Sequence, residues 1–314
     1  MSGRAAPIAA AVCAVLVAAT GGTAADFTPG ERIARLEAPL PPVSARPVPA
    51  HSLATLLQPA FRERWDESTR CERGRDYEAA AALRKALAAE LRDDVHLHWR
   101  IARDTLRSAE QVAPSAPGRR EALYREALDW AKRGRALDPN CGECCLYEFA
   151  AKARLLTPSG ALPSPGSLRR LATTLEACLE SPPTWRDGPD QSELGNLYYG
   201  AATFYRRLPR SRWFQWVAGV RGDRQRAVAL GRRALSLAPD RVDFHVELGA
   251  SLLCLAAERD DPETRAEGIG WLERATELPE QQPSDATDRE RARAILDDPT
   301  RACSDSRVGF SRGG

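Results

Sequence analysis

The sequence has few aromatic residues, very little lysine and no excess of charge of one sign. Aromatic residues make up 6% of the 314 residues while 43% are hydrophobic, so the apolar content lies mainly in Ala and Leu, which favour helices. The 45 basic residues include only three lysines and nearly balance 43 acidic residues. A net charge of +2 gives no bulk attraction to nucleic acid or anionic lipid. We therefore expect an all-α protein with no nucleic-acid partner.

Strand-like alternation and membrane-spanning apolar runs are also missing. The apolar stretch at residues 7–19 is shorter than the about 20 residues that a spanning helix needs. It follows Arg4 and precedes small residues that end at Ala25, which is the pattern of a secretory signal peptide. We predict a signal peptide over residues 1–25 and an exported, periplasmic or secreted protein. An uncleaved N-terminal segment that anchors the chain in the membrane is the alternative.

Proline and helical periodicity divide the rest of the chain. Residues 26–52 are predicted to be a tether, because five prolines between 38 and 50 exclude a helix. Residues 53–296 alternate amphipathic stretches with loops and form the predicted domain, and residues 297–314 are a predicted tail. The predicted helices cover 53–66, 72–91, 94–112, 119–136, 142–156, 167–179, 190–207, 223–237, 241–258, 263–277 and 286–296.

An internal repeat favours a tetratricopeptide-like architecture. Small residues followed by a proline occur twice, one hundred residues apart, as Ala127, Ala131, Gly134 and Pro139 and as Ala227, Gly231, Ala234 and Pro239. Spacings of four and three place the small residues on one helical face, where a second helix can approach. Leu248-Gly249 then occupies the position of the Leu-Gly pair in the next repeat. We predict an α-solenoid of about five antiparallel helix pairs plus a terminal helix; a generic Ala-rich bundle is the alternative.

Some of these segments resemble a known family. The runs HWRIAR at 98–103 and EALDWAKR at 126–133, with Leu194-Gly195, Pro209, Trp213-Phe214 and the repeat at 227–249, are similar to the tetratricopeptide domain of the regulator of microtubule dynamics proteins and their bacterial relatives. The likeness covers about residues 72–296. It implies an all-α superhelix and supplies no catalytic residues. An exported chain would not meet microtubules, so we do not expect the family's tubulin-linked role, and the run CGECCLYEF at 141–149 departs from the family pattern.

The cysteines predict disulfides and not a metal site. Loss of Cys13 with the signal peptide would leave seven, so at least one stays unpaired. Cys141-x-x-Cys144 has no second pair with which to hold zinc or a cluster, and no cofactor or metal is expected. If helices 142–156 and 167–179 are antiparallel, Cys178 lies beside Cys141 or Cys144. We predict a disulfide from Cys178 to one of those two.

One stretch is the best candidate for contact with a partner. Residues 204–216 interleave arginines with aromatic residues and contain no acid, which suits an anionic partner or a membrane surface. Packing of the tryptophans on the array is the alternative. The candidate binding residues are Arg206, Arg207, Arg210, Arg212, Trp213 and Trp216.

The functional hypothesis is a binding or scaffold protein that engages a protein or peptide on its concave face. An Arg/Asn-lined groove would favour this hypothesis. A Leu/Phe lining without paired charges would favour the alternative, a carrier of an apolar ligand such as a lipid. A weaker alternative is an enzyme whose site is assembled by the fold, since no catalytic motif is present and no activity is expected. The sequence does not predict the oligomeric state.

Overall fold

A computed structural model of the chain describes residues 55–113, 115–156, 163–186, 192–282 and 284–305. In these ranges the protein is all-α, as predicted, with twelve α-helices and one 3₁₀-helix. The predicted signal peptide with Cys13, the whole of the predicted tether and the end of the tail lie outside the described residues.

The helices follow the predicted order with one addition. They are α1 Pro59–Arg73, α2 Tyr77–Glu90, α3 Val95–Gln111, α4 Pro117–Leu137, α5 Gly142–Leu156, α6 Pro165–Glu180, α7 Glu193–Arg207, α8 Arg212–Ala218, α9 Arg224–Leu237, α10 Val242–Arg259, α11 Pro262–Glu277 and α12 Asp285–Asp297, followed by a 3₁₀-helix at Pro299–Cys303. The predicted first helix is interrupted: residues 55 and 56 are helical, residues 57–58 form a turn, and α1 starts at Pro59. Proline suits that position because the first N–H groups of a helix have no partner within it. Helix α8 was not predicted.

Acidic and hydroxyl caps explain why several helices begin where they do. The side chains of Asp76, Asp94 and Asp223 accept backbone N–H groups at the starts of α2, α3 and α9. Ser192 does the same for α7, through the N–H of Gly195. These bonds satisfy donors that have no partner within the helix.

Apart from α8, which packs on α6, the helices pack against their neighbours along the chain. Contacts join α1 to α2 and so on to α6, then α7 to α9, α9 to α10, α10 to α11 and α11 to α12. Alternate helices also touch: α3 with α5, α5 with α7, α7 with α10 and α10 with α12. The 3₁₀-helix, in the region predicted to be a tail, packs on α10 and α12.

The small residues of the sequence repeat lie at helix contacts. Ala127, Ala131, Ala227 and Ala234 are buried, as are Gly134, Gly231 and Gly249, whereas Pro139 and Pro239 are exposed just beyond the ends of α4 and α9. A Cβ atom at Gly134 would lie 2.6 Å from the Cys144 sulfur, and one at Gly249 would lie 2.9 Å from the carbonyl oxygen of Gly268. Helices therefore approach closely at α4–α5 and α10–α11.

The disulfides differ from the prediction. Cys178 bonds to Cys145, and Cys141 bonds to Cys144, so the predicted partner of Cys178 was wrong. The reason is the orientation of α5: Cys144 points at Gly134 of α4, while the sulfur of Cys145 lies 3.7 Å from the Thr174 carbonyl of α6.

A third disulfide joins Cys254 of α10 to Cys303, and Cys71 is the free cysteine among the described residues. Three disulfides are typical of proteins that fold in an oxidising compartment. None of the described helices is both long enough and apolar enough to span a membrane.

Candidate functional site

A cavity of about 230 Å³ lies among helices α3, α5, α6, α7, α10 and α12; we call it the inner groove. Helix α7 presents one stripe of side chains to it, at Asn196, Tyr199, Thr203 and Arg207. Their spacings of three and four place them on one helical face. Side chains that are distant in sequence therefore converge on one site.

The floor of the inner groove is apolar. Leu106 of α3, Phe149 of α5 and Leu171 of α6 are buried there. Gly200 of α7 brings the backbone close to the floor, since a Cβ atom at this position would lie 3.1 Å from the ring of Phe149. The floor can hold an aliphatic or aromatic group by excluding water from it.

The polar part of the lining of the inner groove is basic. The lining contains five guanidinium groups and two carboxylates, those of Arg107, Arg154, Arg207, Arg241 and Arg291 and of Glu110 and Asp243. Arg154 binds Glu110 at 2.6 Å, and Arg241 binds Asp243 through two bonds of 2.9 and 2.7 Å. Acids outside the lining neutralise Arg107, through Glu72, and Arg291, through Asp288 and Asp305. Among the described residues, these ion pairs leave Arg207 as the fifth guanidinium group.

Arg207 carries the part of this charge that has no partner. It makes no ion pair or side-chain hydrogen bond within the described part of the chain, and its Nε atom is buried without an acceptor. Burial, and then the neighbouring Arg206, lower the pKa of Arg207 from its ordinary value. A half-buried guanidinium with an open donor is a natural site for an anionic group.

Arg206 has the opposite role, so the prediction that it contacts a partner was wrong. It is fully buried and donates two bonds of 2.8 Å to Glu247, and it also donates to the carbonyl oxygens of Ala302 and Asp305. It fixes the C-terminal segment against α7 and α10. A one-residue step along a helix turns the side chain by about 100°, which separates the two arginines.

The other residues of the predicted basic-aromatic stretch lie away from the inner groove. Arg210 is exposed and pairs with Glu258 at 2.8 Å, while Arg212, Trp213 and Trp216 are exposed on α8. The six candidates are therefore not one site: Arg206 is structural, Arg207 faces the groove and the rest form an outer surface.

A buried charged cluster lies next to the groove and shares Arg107 with its lining. Four arginines surround Glu72 of α1, namely Arg84, Arg100, Arg103 and Arg107. Burial alone would raise the pKa of Glu72, but these guanidinium groups outweigh it and hold the pKa at about 2. The carboxylate therefore stays ionised and compensates buried positive charge.

Tryptophans enclose one member of this cluster. The Arg100 guanidinium lies over the rings of Trp99, Trp185 and Trp65 at 4.6, 4.7 and 5.8 Å from their centroids. The HWRIAR run thus supplies two arginines of the cluster, Arg100 and Arg103, and Trp99 of the aromatic wall. These residues, singled out in the sequence, therefore have a structural role.

Glu193 connects the cluster to the groove, and the sequence analysis missed it. Its carboxylate accepts from Arg103 at 3.1 Å, from the hydroxyl of Tyr147 at 2.6 Å and from Asn196 at 3.1 Å. Burial and this carboxylate raise the pKa of Tyr147 well above its usual value, so the hydroxyl remains a donor. The only feature of the sequence that could have indicated Glu193 is its spacing: it lies three residues before Asn196, the first residue of the α7 stripe that lines the groove.

The described residues include no group of three His, Cys, Asp or Glu side chains arranged to hold a metal ion. Cys141 and Cys144 are buried in their disulfide. His98 and His245 each bond a backbone carbonyl of the preceding helical turn at 2.8 and 2.9 Å.

No protein-family model matches the chain, and no curated protein matches it significantly. The geometry of the inner groove therefore carries the functional argument.

Proposed function

We propose that the chain is a tetratricopeptide-like helical-repeat protein that binds an extended segment of a partner protein in the inner groove. The observation that carries the proposal is Arg207, a half-buried guanidinium without an anionic partner in the described chain, beside an apolar floor. Such a pair of features suits a peptide in which an Asp, a Glu or a terminal carboxylate neighbours an apolar side chain.

The repeat architecture is part of this proposal. Most successive helices contact each other and some helices also contact the next but one, as expected where helical hairpins stack into a solenoid. The small residues at the α4–α5 and α10–α11 contacts also support it.

A carrier of an apolar ligand is the second candidate, and the apolar floor is the observation that favours it. The volume argues against it, because about 230 Å³ is below the ~300–1,000 Å³ of sites that enclose drug-sized ligands. The groove fits one or two side chains of a longer molecule better than a whole lipid. Asn196 and the paired charges of the lining also favour a peptide.

Export belongs to the same proposal. The three disulfides and the signal-like N-terminus support it. The exported chain is proposed to begin at Asp26, which N-terminal sequencing checks.

The binding proposal is tested with a peptide library displayed on phage and selected on the immobilised protein. We expect selected peptides to combine an acidic residue with an aromatic or aliphatic one. Arg207→Glu should lower their affinity about tenfold or more, since it replaces a charge-assisted bond with repulsion. Ala150→Trp places a large side chain in the groove and should abolish binding of the same peptides.

Matched controls are available on α11, where Arg265 and Ala266 are exposed. Arg265→Glu and Ala266→Trp make the same changes away from the groove and should leave the affinity unchanged. Thermal melting of each variant checks that it is folded. Peptides that bind Arg207→Glu and Ala150→Trp as tightly as the original chain would contradict the proposal, and a lipid retained in native mass spectra without any selected peptide would favour the carrier.

A further inference from the structure

We propose that helix α8 docks on the surface of an anionic lipid bilayer through Trp213 and Trp216. This surface is separate from the inner groove, because no residue of α8 is among those that line the groove.

The two tryptophans are unusually exposed. Their relative exposures are 69% and 80%, and the other exposed large hydrophobic residues in the described part of the chain are Leu57 at 45% and Leu137 at 41%. Tryptophan is highly buried on average. A spacing of three residues puts both indoles on one side of α8, so they can enter the same surface together.

Helix α8 is held firmly although it is short. Ser211 caps its start by accepting the Phe214 N–H at 3.2 Å, and Gly219 ends it in the left-handed region at φ 70°. Ala218 is fully buried, and Arg169 of α6 donates to the Val217 carbonyl at 3.0 Å. The body therefore fixes the helix while both indoles project outward, which rules out packing of these rings on the array.

The charge around α8 favours an anionic surface. Residues 204–222 contain no acid, and the exposed side chains of Arg212 and Arg221 make no ion pair within the described residues. The acids nearby are engaged: Glu258 pairs with Arg210 and Arg224. Arg212 on α8 and Arg221 just beyond it thus expose guanidinium groups without an ion pair among the described residues, while the next acid, Asp223, caps α9.

A bilayer fits these features better than a folded partner does. Indole rings favour the boundary between headgroups and acyl chains, because one edge is apolar and the N–H is a donor. Arginine binds lipid phosphate, and each basic residue near an anionic membrane raises the affinity about fivefold. The projecting seven-residue helix offers a ridge and no groove, which suits insertion into a fluid surface.

The experiment measures binding of the full chain to phosphatidylcholine vesicles with and without phosphatidylglycerol, by co-sedimentation and by fluorescence quenching with bromine-labelled lipids. We expect tighter binding to the anionic vesicles and quenching of indole fluorescence. Trp213→Ala/Trp216→Ala should remove the quenched component and lower the affinity about tenfold or more. Arg212→Glu/Arg221→Glu should lower it about fivefold or more for each arginine.

Every variant keeps the N-terminal apolar run. A difference in quenching between the original chain and an α8 variant therefore reports on α8 alone. Leu57→Ala/Leu137→Ala and Arg265→Glu/Arg293→Glu change exposed residues outside α8 and should behave like the original chain. Equal quenching in the original chain and the double tryptophan variant would overturn the proposal. A dimer that becomes a monomer in that variant, with vesicle binding unchanged, would assign α8 to a second copy and would also overturn it.

Discussion

At the residue scale, Glu72 balances more buried charge than any other side chain of the cluster. It is mostly buried and pairs with arginines from α2 and α3, so neutralising it leaves guanidinium groups without a counter-ion. Breaking a buried pair of this kind costs about 3–5 kcal/mol. We therefore expect Glu72→Gln to destabilise the protein near neutral pH, which urea unfolding measures.

The depressed pKa of Glu72 also predicts a pH dependence. A carboxyl group with a folded-state pKa of about 2 and an ordinary unfolded value stabilises the fold above the unfolded pKa and loses that effect as the pH falls towards 2. The original chain should lose about 2 kcal/mol from this group between neutral pH and about pH 3. Glu72→Gln should lack that component, and parallel pH profiles for the two proteins would refute the assignment.

Residue-level roles were the hardest to predict from the sequence. Arg206 and Arg207 are adjacent and chemically identical, yet one is buried against Glu247 and the other lines the groove. Which arginine faces which way depends on the neighbours of α7, and arginine is too frequent in this chain to mark a site. The same holds for Cys144 and Cys145, whose partners depend on the rotation of α5 by a fraction of a turn.

At the element scale, the close contact between α10 and α11 predicts opposite effects for two helical glycines. A Cβ atom at Gly249 would lie 2.9 Å from the Gly268 carbonyl oxygen and 2.7 Å from Leu272, whereas one at Gly270 would meet nothing within 4 Å. Gly249→Ala should therefore destabilise by overpacking, by about 1–3 kcal/mol. Gly270→Ala should stabilise by about 0.5–1 kcal/mol, since alanine restricts the unfolded chain.

Chemical denaturation of the two glycine variants checks whether the free energy of unfolding falls for Gly249→Ala and rises for Gly270→Ala. Both changes add one methyl group to a helix, so helix propensity acts equally and packing alone separates them. Stabilisation by Gly249→Ala would mean that α10 and α11 are further apart than the structure places them.

The helices themselves were largely predictable, because periodicity, caps and prolines are local signals. Helices α3, α5 and α9 begin and end within one residue of the prediction. Helix α8 was missed because it has only seven residues and does not bury a continuous apolar face. The predicted helix over 53–66 was wrong about continuity: residues 55 and 56 are helical, but the chain turns at 57–58 and α1 begins at Pro59.

At the scale of the whole molecule, the inner groove combines residues from six helices between Leu106 and Arg291. No short stretch of sequence contains it, and its charge depends on which arginines find internal acids. From the sequence one can say only which lining would favour which ligand. A lining of Arg and Asn would favour a peptide, and a lining of Leu and Phe without paired charges would favour an apolar ligand. Only the three-dimensional arrangement shows a mixed lining in which Arg207 has no ion pair within the described part of the chain.

The disulfides act on the whole molecule, because they close long loops in the unfolded chain. Cys145–Cys178 and Cys254–Cys303 span 33 and 49 residues, and each should stabilise the fold by about 4 kcal/mol in the chain-entropy account. Cys145→Ala/Cys178→Ala should lose this stabilisation in urea unfolding without reductant. The loss should vanish when both proteins are compared under reducing conditions.

A tryptic map without reduction tests the pairing itself. Cys141, Cys144 and Cys145 share the fragment 136–152, and Cys178 lies in 171–186, so the original chain yields one linked product whichever cysteine is bonded. Cys145→Ala should release the fragment 171–186, since Cys144 faces α4 and is held by Cys141. Cys144→Ala should leave the two fragments linked, because it removes only the short-range disulfide. The reverse result would restore Cys144 as the partner of Cys178 and would require α5 to be rotated relative to both of its neighbours.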